Sequence, residues 1–114
     1  MYRIRLHGRG GQGIKTAGQV LGTAFALAGY EVQDAPRYGA ERRGAPVVSC
    51  VRAGRAQIHE RGVITRPDLV VLADETLVPV PAAAVLQGLS ARTLLLSASG
   101  DAADAWRERL RLEG

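Results

Sequence analysis

Three groups of residues have the types and spacing to do chemistry. The first is Gly8-Arg9-Gly10-Gly11-Gln12-Gly13, which fits the pattern G-x-G-x-x-G. Where such a run joins a strand to a helix, the first glycine makes a tight turn and the second lets backbone approach a phosphate. The third lets helix and strand pack, and the helix N-terminus faces the anion with unpaired N–H groups. A plain strand–helix turn with no ligand would use the same residues. Lys15-Thr16 resembles the end of a phosphate-binding P-loop, but Ile14 separates it from Gly13, one residue out of register. The second group is Arg37-Tyr38-Gly39-Ala40-Glu41-Arg42-Arg43-Gly44, bounded by Pro36 and Pro46. Adjacent arginines repel unless an anion or a carboxylate meets them. Glu41 can serve one, and a phosphate, a CoA-like ligand or a partner's acid can serve the other. A solvated turn is the plainer reading. The third group is thin. His7, His59 and Cys50 stand apart from one another, with no catalytic or metal-ligand spacing.

The elements that must position these groups follow from periodicity. Tyr2, Ile4 and Leu6 alternate, so residues 2–7 read as a strand leading into the glycine run. From Ile14 the period becomes helical, with Ile14, Ala17, Val20, Leu21, Ala24, Phe25 and Ala28 on one expected face and Gly29 as the stop. Gly18 and Gly22 lie off that face, where glycine signals close approach by a neighbour. Residues 30–35 suit a short strand. Val47–Val51 and Ala56–His59 suit an antiparallel hairpin across Gly54. Leu69–Ala73 is a continuous apolar run, suited to a strand buried on both faces, with Asp74-Glu75 at its carboxyl end. A short helix over 82–87, a strand over 93–96 and a helix capped by Asp101 complete the chain. The order implies an α/β fold: a Rossmann-like, mostly parallel twisted sheet with flanking helices and one β-hairpin, in a single domain over 1–114. A dinucleotide site would also need an acid closing the second strand, Glu31 or Asp34, or Arg37 for a 2′-phosphate. A stand-alone NAD(P)- or nucleotide-binding module therefore remains an alternative.

The chain has 114 residues, 46% hydrophobic and 23% charged, which fits one globular domain and excludes collagen, coiled coil and long disorder. No apolar run is long enough to span a bilayer, and Tyr2-Arg3-Ile4-Arg5 lacks a signal peptide's apolar stretch. One cysteine implies a reducing, cytoplasmic setting. The net charge of +4 is uneven: residues 1–66 carry eleven basic residues against four acids, and residues 67–114 carry four against seven. With aromatics at 4% and no aromatic-interleaved basic stripe, the excess points to an anionic ligand or acidic partner rather than to nucleic acid.

The two loops together carry a resemblance. Gly8-Arg9-Gly10-Gly11-Gln12-Gly13, Ala17-Gly18, Tyr38-Gly39-Ala40-Glu41-Arg42-Arg43-Gly44-Ala45-Pro46-Val47, Val51-Arg52 and Pro67-Asp68 before an apolar strand resemble the gamma subunit of 2-oxoacid:ferredoxin oxidoreductases. That family includes the pyruvate, 2-ketoisovalerate and indolepyruvate enzymes. The match runs from about Ile4 to Leu77. The resemblance implies a multi-subunit enzyme that decarboxylates a 2-oxoacid to an acyl-CoA and CO2 and reduces ferredoxin. Its thiamine diphosphate, Mg and [4Fe-4S] clusters would belong to alpha, beta and delta-type subunits. This chain would supply Gly8, Arg9, Gly10, Gly11, Gln12, Gly13, Tyr38, Arg42, Arg43 and Gly44 to the ligand or interface side, inactive alone. Family members run on through a further strand–helix segment, so the domain is expected to be incomplete at its C-terminus.

Overall fold

A computed structural model of the chain describes the backbone of residues 1–38 and 44–110, and within those all side chains except at 36–38, 82 and 107–110. Five strands form one sheet: β1 (Tyr2–Arg9), β2 (Glu31–Tyr38), β3 (Pro46–Gly54), β4 (Leu69–Leu72) and β5 (Leu94–Ser97), in the order β2-β3-β1-β4-β5. β1, β4 and β5 are parallel neighbours, and β3 is antiparallel to both β1 and β2. Four strands thus run one way, and β3 runs against them in a mixed α/β sheet. Helix α1 (Ile14–Leu27) covers one face and α2 (Ala103–Leu110) follows β5. Between β4 and β5 the chain makes two single 3-10 turns, Glu75–Leu77 and Pro81–Ala83, where the sequence suggests one short helix. Ala84, at φ +48°, takes the left-handed conformation and ends the second turn, so no helix continues through residues 82–87.

The expected hairpin forms with different partners. Residues 46–54 are one long strand, paired along its length with β2 on one side and β1 on the other. Ala56–His59 is not a strand. That segment instead passes under the sheet, where Ile58 and Ile64 are buried.

The helix also presents a different face from the one its apolar spacing suggests. Ile14, Gly18 and Gly22 are buried, whereas Ala17, Val20, Ala24 and Ala28 are exposed. The cause is backbone proximity. A Cβ on Gly18 would run into Ser49 Oγ, and one on Gly22 would lie 3.3 Å from Val32 Cγ1. The helix therefore sits close over β2 and β3 on its glycine side, with Leu21 and Phe25 packing beside Ile4, Leu6 and Val51.

The opposite face holds a second core of Val70, Leu72, Leu77, Ala83, Val85 and Trp106. Alternation in β1 suggests that Arg5 and His7 are solvated, but this second layer buries them. Arg5 is 1% exposed, Arg52 1% and His7 3%. Buried cations need acceptors. Arg5 donates to the carbonyls of Ile64, Val85 and Gln87 and to His7 Nε2. Arg52 donates to Glu60, Gln33 and the Gly62 carbonyl. Part of the basic excess is thus internal bracing for the segments that cover the sheet.

Candidate functional site

The glycine run leaves β1 at the carboxyl end of the parallel β1–β4 pair, where open α/β sheets place their sites. Gly8 must lack a side chain because a Cβ there would collide with Ile14 of the first helical turn. Gly11 and Gly13 have φ of +91° and +78°, a region L-residues avoid. Gly13 is the N-cap and has no side chain to cap with. The glycines thus fold the chain back sharply enough for α1 to lie over the sheet.

The other members of the run are tied into the protein. Gly10 N–H donates to Ala45 O at 2.8 Å, and Gly10 O accepts from Gly44 N at 3.1 Å. This pairing extends the β1–β3 ladder and joins the first loop to the end of the second. Gln12 folds back so that its Oε1 accepts from Arg9 N at 2.7 Å, while its Nε2 donates to Asp74 Oδ2 at 3.0 Å. Arg9 donates to Gly44 O at 2.9 Å and to Thr76 Oγ1 at 3.0 and 3.2 Å, with Asp74 Oδ2 3.3 Å from its Nε. Asp74 in turn accepts from Thr76 N and Thr76 Oγ1. Hydrogen bonds from Thr76 and Gln12, then the Arg9 charge, hold the Asp74 carboxyl at a pKa of about 2. It is an anion at any physiological pH.

Arg9, Gln12, Gly44, Asp74 and Thr76 therefore form a latch at the carboxyl ends of β1 and β4. Sequence reasoning singles out Arg9, Gln12 and Gly44 but gives Asp74 and Thr76 no role. Their signal was position, since Asp74 directly follows an apolar parallel strand. The backbone of Tyr38 ends β2, opposite Val47 of β3. Arg42 and Arg43 lie outside the described residues.

The dinucleotide alternative fails on topology. It needs the second strand beside the first, with an acid at its end. Here β3 lies between β1 and β2, so β2 is two strands, or about 10 Å, from the glycine run. Asp34 is in the middle of β2, not at its end, and its carboxylate lies under Gly18 beside the fully buried Ser49. Burial raises the pKa of that carboxyl, disfavouring the charge a ribose contact would use. At the loop itself the Gly10 amide is taken by Ala45, and Arg9 is neutralised by Asp74.

The described residues contain no group of three or more His, Cys, Asp or Glu able to hold a metal, and no helix long and apolar enough to cross a membrane. The family model described as pyruvate ferredoxin/flavodoxin oxidoreductase matches residues 3–111. The chain is 46% identical over 95 residues to pyruvate synthase subunit PorC of Thermotoga maritima, covering 83% of this chain and 48% of that protein. It is 46% identical over 77 residues to the common gamma subunit of the pyruvate/ketoisovalerate oxidoreductases of Pyrococcus furiosus, covering 68% of this chain and 42% of that one. The crystal structure of pyruvate oxidoreductase subunit PORC from Thermotoga maritima superposes with a TM-score of 0.80 at 39% identity, over 99% of this chain and 58% of that one. The chain thus spans about half the length of the curated relatives it matches.

Proposed function

The chain belongs to the pyruvate ferredoxin/flavodoxin oxidoreductase family, and we propose that it works there as the gamma component of a 2-oxoacid:ferredoxin oxidoreductase. The assembled enzyme would decarboxylate a 2-oxoacid such as pyruvate, form an acyl-CoA and reduce ferredoxin. The observation that carries this reading is the match to the PORC structure over 99% of the chain. A [4Fe-4S] cluster takes four cysteine thiolates, and this chain has one cysteine, Cys50, buried in β3. The clusters are therefore assigned to partner subunits; the proposed role in this enzyme class further assigns thiamine diphosphate and Mg to alpha, beta and delta-type partners, and the assembly to the cytoplasm. That one gamma protein is named as common to pyruvate and ketoisovalerate enzymes supports substrate choice lying in the partners too.

Within the assembly, the Gly8–Gly13 loop and the Gly44-Ala45 segment beside it form one face. The Gly10 pairings with Gly44 and Ala45 support this, because they tie that segment to the glycine run. The Asp74-neutralised Arg9 does not fit a phosphate cradle, so the first loop shapes the face. Contact with CoA or with a partner's acids falls to Arg42 and Arg43. Arg42→Ala and Arg43→Ala are expected to raise the KM for CoA or to weaken subunit association in the assembled enzyme. Unchanged turnover, CoA KM and assembly in both variants would remove that role. For the function itself, a tagged chain should co-purify with thiamine-diphosphate-dependent, iron–sulfur-bearing subunits that reduce ferredoxin with a 2-oxoacid and CoA. Tight binding of a nicotinamide dinucleotide by the chain alone would speak against it.

A further inference from the structure

Strands β4 and β5 have the composition of strands buried on both sides, and the structure covers one side. Leu69-Val70-Val71-Leu72 and Leu94-Leu95-Leu96 are apolar at every position, the pattern of a parallel sheet held between two layers. Val70, Leu72 and Leu95 face the core that Leu77, Val85 and Trp106 close from below. Leu69 and Val71 face the other way, beside Ile4, Leu6 and Val51 on the α1 side. Leu94 and Leu96 share that upper face, because Leu69 pairs with Leu94 and Val71 with Leu96. Helix α1 lies over β2 and β3, however, and Leu94 stays 71% exposed and Leu96 61%. β5 is also an edge strand, and Leu94–Ser97 has neither the charge nor the proline that usually guards an edge.

We infer that the strip of Leu69, Val71, Leu94 and Leu96 seats a helix from the part of the gamma-type polypeptide that the longer relatives carry outside the matched region, laid beside α1 as part of the same fold. The inference rests on the gamma reading above. Three observations select this occupant. The strip is one helix wide, since two strands about 4.8 Å apart make roughly 10 Å, the diameter of a helix. It is also too small to hold a free-standing protein or a second copy. Four residues of strand at about 3.3 Å each give roughly 130 Å², against about 800 Å² per partner in a stable complex. A segment of the same fold loses no overall translational freedom on seating and needs no such area. Finally, relatives of this fold have polypeptide to place there: the PORC structure matches 99% of this chain with 58% of its own. Helix α2 is already engaged on the lower face through Trp106, which leaves the upper strip and the β5 edge as what the sheet still offers.

Leu96→Cys gives the strip a reporter, because the native Cys50 is buried at 1% exposure. In the full chain alone it should react with iodoacetamide within about threefold of the rate of Arg92→Cys, an exposed control. The comparison is a chimera in which this chain replaces the matched part of the Thermotoga maritima PorC protein, with each site followed by peptide mass spectrometry. There Leu96→Cys should react at least about tenfold more slowly, with Arg92→Cys unchanged. Equal Leu96→Cys rates in the two proteins overturn the inference. So does a chimera in which Cys50 becomes reactive, because a segment that fits the strip stabilises the sheet beneath it. Protection of Leu96→Cys that grows with the concentration of the chain alone assigns the strip to a second copy and equally overturns it. The labelling involves no turnover. A chain that co-purifies with the oxidoreductase subunits while Leu96→Cys stays reactive in the chimera therefore loses this inference and keeps the gamma reading.

Discussion

Lowering the pH from about 7.5 to about 5 is expected to destabilise the fold through His7, which stays largely neutral on the buried face of the sheet while the unfolded chain takes up a proton. In the folded chain His7 is 3% exposed and its Nε2 accepts from Arg5 Nε at 2.9 Å. Burial first, and then the Arg5 charge, lower the imidazole pKa from 6.5 to about 4. The unfolded chain therefore binds a proton in the window between those values while the folded chain does not. Stability from this group is fully present above pH 6.5 and is lost as pH falls toward 4. Integrating the two titrations between about pH 7.5 and about pH 5 gives a loss of about 2 kcal/mol. For a domain of this size that is a fall in Tm of roughly 8 °C. Glu60 and Asp74 titrate near 2 in the folded chain, well below this window. The raised Asp34 acts in the opposite sense, and it is common to both proteins in a comparison with His7→Gln. Gln can accept the Arg5 hydrogen bond and has no proton to gain. The assay is thermal or urea unfolding of both proteins at the two pH values, with the His7 imidazole followed by NMR. The wild type should lose about 2 kcal/mol more than His7→Gln. Equal losses, or a His7 resonance titrating near the ordinary imidazole value of about 6.5, would refute the reasoning.

Two glycines of α1 should respond oppositely to the same change. Gly18→Ala drives a methyl into Ser49 and is expected to cost about 1–3 kcal/mol despite alanine's better helix propensity. Gly22→Ala would place its methyl 3.3 Å from Val32 Cγ1 and 3.6 Å from Asp34 Cβ, a misfit of only a few tenths of an ångström, and should be neutral or stabilising by up to about 1 kcal/mol; equal effects in urea unfolding would contradict the packing described. Asp74→Asn should speed amide exchange across residues 8–13, because Arg9 loses its ion pair and Gln12 its anchor. Being exposed, the ion pair should leave Tm almost unchanged, and slow exchange retained in the loop would show that the latch does not hold it.

Much of this was legible before any coordinates. The alternation at Tyr2, Ile4 and Leu6, the glycine run, the helical period from Ile14 and the apolar run at Leu69 each specify local structure, because each depends on neighbours in the chain. Family membership was legible for a similar reason: two loops of small and charged residues at fixed spacing are hard to assemble by chance. Less local features were not. Whether Arg5 and His7 face water depends on residues 58–64 and 85–87, which reach under the sheet from far along the chain.

The amino-acid order by itself determined that a strand, a glycine turn and a helix follow one another, and that one cysteine cannot hold a cluster. It also determined that the first half of the chain is strongly basic. Only the tertiary structure decided what the glycine run is for. Both G-x-G-x-x-G and an acid in the second strand are compatible with a dinucleotide, and nothing local separates that reading from another. Strand order does. With β3 inserted antiparallel between β1 and β2, Asp34 moves under the helix, and Asp74 arrives beside Arg9 from the neighbouring β4 instead. Side-chain alternation and turn chemistry operate over a few residues, whereas strand order is set by which faces the whole chain can bury. The same backbone closeness turned α1 onto its glycines and left Val20 and Leu27 facing outward.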